Sequence, residues 1–68
     1  MVIETFNVVK ESKGKIVIMA FKKEEEAKGV FEAAVKIMGV PEEALEGVCD
    51  AGIHSDMFYT VSLIKSLQ

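Results

Sequence analysis

The chain has 68 residues and a mass of 7.5 kDa; half of its residues are hydrophobic, and it carries a formal net charge of −3 with a pI near 5.0. This length leaves no room for a second domain, so residues 1–68 are expected to form one. The acidic balance, with eight basic residues that are all lysine, argues against nucleic acid as a partner, because phosphate and base-edge recognition relies on bidentate arginine.

From the N-terminus, residues 2–10 read as a strand with Val2, Phe6 and Val8 on one face and Ile3, Thr5, Asn7 and Val9 on the other. Glu11-Ser12-Lys13-Gly14 is a polar turn whose glycine tolerates a positive φ. Residues 15–21 make a second strand, apolar on both faces, and complete an N-terminal hairpin. Glu24-Glu25-Glu26 open a helix, where acids meet the positive end of the macrodipole. Ala27, Val30, Phe31, Ala34 and Met38 then follow helical spacing along one face. Gly39 ends this helix, and Val40-Pro41 blocks its continuation.

Pro41 suits the start of a second helix over 41–51, with Ala44, Leu45, Val48 and Cys49 on one side and Gly52 as its stop. Ile53-His54-Ser55-Asp56 reads as a loop. The last strand is placed at 57–65, with Met57, Tyr59, Val61 and Leu63 alternating against Phe58, Thr60, Ser62 and Ile64. The order ββααβ implies an α+β fold of two layers, a three-stranded sheet with both helices on one face. Pairing of the last strand with the first gives the order 2-1-3, and pairing with the second requires a right-handed crossover.

The densest cluster of chemistry-bearing residues runs from Cys49 to Asp56, with Tyr59 close behind. Cysteine, histidine and aspartate are metal-ligand types, but the four-residue gap between Cys49 and His54 matches no common zinc spacing. A Cys49–His54 nucleophile–base pair would need an exposed thiol, whereas Cys49 lies on the apolar side of its helix. No glycine-rich phosphate loop is present. The expectation is therefore a protein that is not an enzyme and holds no metal or cofactor, with His54, Ser55, Asp56 and Tyr59 as a loop for a partner or ligand. Gly29, Ala33 and Ile37 form a small-residue flank on the first helix that could admit a close neighbour, either the second helix or a helix of another subunit.

Two further features bear on assembly. Surface scaling gives about 4,250 Å² for a folded monomer of this mass, against roughly 10,900 Å² unfolded. Apolar burial on that scale contributes about 95 kcal/mol. Ordering the chain costs about 100 kcal/mol. A monomer is thus near balance. The second feature is the sheet face opposite the helices, which would carry Ile3, Thr5, Val9, Phe58, Thr60 and Ile64 and no lysine or glutamate. Together they predict a homo-oligomer, most simply a two-fold dimer packed through that face, with edge-to-edge strand pairing into one continuous sheet as the alternative geometry, acting as an inhibitor, regulator or assembly subunit that binds another protein. The alternative is an oligomeric binder of a small molecule held near His54 and Tyr59. A lone cysteine and the strand-like start after Met1 point to the cytoplasm without a signal peptide, and no apolar run is long enough for a membrane span.

Overall fold

The structure, a computed structural model, describes residues 4–67. In chain order it comprises β1 (Glu4–Ser12), β2 (Lys15–Phe21), α1 (Glu24–Ile37), α2 (Glu42–Ala51), β3 (Ile53–Ser55) and β4 (Thr60–Leu67). The four strands form one antiparallel sheet in the order β2-β1-β4-β3, which makes the protein α+β.

β1 and β2 meet through a two-residue turn in which both Lys13 (φ 43°) and Gly14 (φ 81°) are left-handed. That geometry matches the right-handed twist of the flanking strands. α1 ends in a Schellman arrangement: the Gly39 amide donates to the Lys36 carbonyl at 3.0 Å and the Val40 amide to the Val35 carbonyl at 3.1 Å. Val40 is thereby folded back into the core, and Pro41 stands at the N-cap of α2.

Two expectations are corrected. The sheet has four strands, not three: Gly52, left-handed at the end of α2, turns the chain so that Ile53–Ser55 lies against β4. The final strand starts at Thr60, not at residue 57, because Asp56 holds the preceding residues in a turn described below. β4 lies beside β1, which realises the order in which the last strand pairs with the first.

The core joins alternate residues of the inner strands, Phe6, Val8 and Val61, to Ala27, Phe31 and Val35 of α1, Val40, and Leu45 of α2. Phe31, Val35 and Val61 are fully enclosed. The reading of β1 into an inward stripe through Phe6 and Val8 holds, while Val2 and Ile3 fall outside the described residues. β2 fares differently. Its residues from Lys15 to Ala20 are exposed, on both sides of the strand, although it is the longest apolar run in the chain. The accessible surface is 4974 Å², roughly 700 Å² above the value of about 4,250 Å² that scaling gives for a compact monomer of this mass.

Candidate functional site: the open sheet face and its hairpin loop

Strand register fixes which side chains share the face turned away from the core. One row across the sheet is Ile18, Val9, Ser62 and Ile53. The next is Ile16, Glu11, Thr60 and Ser55, and on the other side lie Ala20, Asn7 and Ile64, followed by Thr5 and Ser66. Glu11 corrects the expectation of a face without glutamate: β1 runs on to Ser12, which brings Glu11 into the row, and among the described residues it is the only charge there, at the turn end. Ile16, Ile18, Ile53 and Ile64 remain 62%, 63%, 54% and 48% exposed. Polar residues of the face partly satisfy each other: Asn7 Nδ2 donates to Ser66 Oγ at 3.1 Å. Thr5 Oγ1 is enclosed without a hydrogen-bond partner among the described residues.

Of the expected interface residues, Thr5, Val9, Thr60 and Ile64 do occupy this face. Ile3 lies outside the described residues. Phe58 is not on the sheet at all: it belongs to the loop before β4 and is 60% exposed. Ile16, Ile18 and Ile53 are the largest apolar contributors beyond the expected set. The two from β2 belong to a run apolar on both faces, whose alternation is invisible, and Ile53 sits in a segment too polar and short to register as a strand.

The β3–β4 loop is built around Asp56. Its Oδ1 accepts hydrogen bonds from the backbone amides of Phe58 and Tyr59, both at 2.7 Å, while its own amide donates to the Tyr59 carbonyl at 2.9 Å. These two amide donors, Tyr59 first and Phe58 second, hold the Asp56 carboxyl below the usual carboxylate range, with a smaller contribution from the nearby His54. Such an Asx turn is a local alternative to the strand ladder. Ser55 Oγ and Thr60 Oγ1 lie 3.0 Å apart across the hairpin. The Lys10 ammonium sits 4.8 Å from the centroid of the Tyr59 ring, within cation–π range.

The four expected loop residues are therefore close in the chain but divided in space. Ser55 faces the open side with Thr60, whereas His54 pairs with Val61 and faces the helix side. Tyr59 and Asp56 line an apolar groove of about 440 Å³ beside α1, with Met19, Val30, Ile37 and Met38; His54 and Ser55 are not part of its lining.

Cys49 packs at the margin of the core and lines a separate cleft between α1 and α2 with Lys28, Glu32 and Glu46. Burial, reinforced by Glu32, pushes its thiol up, the opposite of what an activated nucleophile needs. Among the described residues no group of three or more histidine, cysteine or acidic side chains is placed to hold a metal ion. The Gly29 flank is open: a Cβ there would meet nothing within 4 Å, and Ile37 is 87% exposed, so α2 does not make the close approach that the small residues could admit. No described helix is long and apolar enough to cross a membrane. No protein-family model matches the chain, and neither the curated proteins nor the solved structures yield a significant match.

Proposed function

We propose that this chain is a small non-enzymatic interaction module of the cytoplasm, an inhibitor, regulator or assembly subunit, that acts as a homo-oligomer and binds another protein. In this proposal the helices form one layer over the sheet and the opposite face is the contact surface. The observation that carries it is the open face itself. Isoleucines from β2, β3 and β4 surround Val9 on a face whose one charge among the described residues, Glu11, stands at the turn end. A half-apolar face with so little charge, on so small a chain, suits a partner surface better than a solvated one. A two-fold interface is self-complementary, so one such face serves both subunits.

Light scattering after size exclusion at micromolar concentration tests this. The expected mass is a multiple of 7.5 kDa. Joint substitution Thr5→Lys and Thr60→Lys, which charges the face at two places, is expected to lower it. An unchanged mass in that variant removes the face as the contact surface.

A second proposal, binding of a small molecule near Tyr59, is favoured by the groove beside α1, which offers an apolar lining with Lys10 and Asp56 at its polar end. Native mass spectrometry of the purified protein would reveal a retained ligand, and Tyr59→Ala should release it. A chain free of bound small molecules when freshly purified from its native cell would count against this second function.

A further inference from the structure

β2 is an outer strand without the devices that normally blunt an exposed edge. Between Lys15 and Lys22 it has no charge, no proline and no bulge, and its register with β1 runs unbroken from Phe21 to Lys15. The direction of its free hydrogen-bonding groups follows from the turn. A two-residue hairpin makes Ser12 and Lys15 a hydrogen-bonded pair, and bonded pairs recur at every second residue. The backbone groups of Val17 and Met19 therefore point at β1, and those of Ile16, Ile18 and Ala20 point outward. The side chains add a second fact. Ile16 and Ile18 are exposed on the open face, but Val17 and Met19, on the helix side, are also 53% and 36% exposed. Packing through the open face does not reach them.

We infer that the free edge of β2 pairs antiparallel with β2 of a second copy, across a two-fold axis at Ile18, so that two four-stranded sheets become one of eight strands. This shares with the proposed function the premise of self-association and uses a different surface. The axis position follows from the outward groups. Centred on Ile18, the pairing sets Ile16 opposite Ala20 of the partner subunit and engages all three outward residues. Moving the axis to Val17 or Met19 leaves one of the three paired beyond the strand. In the Ile18 register Lys15 lies opposite Phe21 of the partner subunit, so no two lysines of the strand face each other, and Val17 stands beside Met19 of the partner subunit on the helix side. The occupant is a copy of this chain because a strand laid along this edge must be apolar on both sides to match Ile16 and Ile18 on one and Val17 and Met19 on the other, and among the described strands β2 alone has that pattern.

Amide hydrogen exchange followed by NMR tests the pairing on the unmodified chain. The Ile16, Ile18 and Ala20 amides should exchange at least roughly 100-fold more slowly at high protein concentration than after dilution to monomer. They should keep that protection in the Thr5→Lys, Thr60→Lys variant, which attacks only the face. Ile18→Pro removes an outward amide without touching a bond to β1, and should abolish the protection at Ile16 and Ala20 and halve the assembly mass. If Ile18→Pro fails to fold, a synthetic chain carrying N-methylated Ile18 tests the same bond. The inference is overturned if the three outward amides exchange as fast as those of Lys13 and Gly14 at every concentration, or if they are protected only after another polypeptide is added. Failure of the face-packing proposal alone shows differently: the mass is then unchanged by the lysine pair while the outward amides stay protected.

Discussion

The Leu63 amide donates a 2.8 Å hydrogen bond to the Gly52 carbonyl, and a Cβ placed on Gly52 would stand 3.4 Å from the Leu63 carbonyl oxygen. This contact joins the end of α2 to the middle of β4 and launches β3 along the sheet edge. Gly52 also has φ 72°, a conformation L-residues adopt at a cost. Gly52→Ala is therefore expected to destabilise the fold by about 1–2 kcal/mol. A chemical-denaturation midpoint equal to that of the parent chain would show that the turn relaxes freely.

Leu45 is the residue through which α2 enters the core. Leu45→Ala should cost about 2–4 kcal/mol, a large share of the stability of so small a domain. An unchanged melting temperature would mean that α2 is not anchored there.

Asp56 gives the loop a pH dependence of definite sign. Its folded-state carboxyl is held low by the Tyr59 and Phe58 amides, so its contribution is present above the unfolded pKa and disappears as pH falls through the folded value. Asp56→Ala should lower the melting temperature by only a few degrees at neutral pH, and the gap to the parent should close in acid. His54→Ala, outside this network, should change stability by less than about 1 kcal/mol. A collapse of the fold in either variant would make the loop a structural element rather than a place for function.

α1 has Lys23 at its N-cap with no side-chain hydrogen bond to the helix, despite three acids in the first turn. Lys23→Asp offers an acceptor to the free amides and suits the macrodipole, and should raise stability by about 0.5–1 kcal/mol. Thermal unfolding of the two chains side by side decides this.

Chelation should leave the fold intact. Cys49 and His54 lie on different elements and neither belongs to a ligand cluster among the described residues. The far-ultraviolet circular dichroism spectrum is expected to be the same with and without EDTA; loss of signal would restore Cys49, His54 and Asp56 as ligands.

Elements whose residues repeat with a clear period were legible from the sequence alone. The hairpin around Lys13-Gly14 and the α1 stripe through Ala27, Phe31 and Ala34 carry periods of two and of three to four, and each lies within two residues of its expected place. β3 was not legible, because three residues, Ile53-His54-Ser55, offer no alternation and pair only through the Gly52 turn. In the sequence, the alternation of Met57 and Phe58 with Tyr59 and Thr60 continues the pattern of β4 and extends the expected strand back to residue 57. The Asp56 side chain overrides that pattern by capturing two amides locally. The site shares this division: Val9 and Ile64 could be placed on one face from parity, while the exposure of β2 on both sides depends on where α1 comes to rest, which no local pattern encodes.

The position of β4 has a consequence for synthesis on the ribosome. β4 is the last of the described strands yet runs between β1 and β3, with Glu4 opposite Leu67. A nascent chain growing from its N-terminus can form the β1–β2 hairpin and begin both helices. It cannot close the sheet over Phe31 and Val35 until the residues that form β4 have left the exit tunnel. Pairing partners so far apart in sequence must also bear the entropy of a long loop before any contact rewards it. During that interval the apolar run of β2 faces water with neither a core nor a neighbour beyond β1. That exposed segment is where the unfinished chain is most open to aggregation.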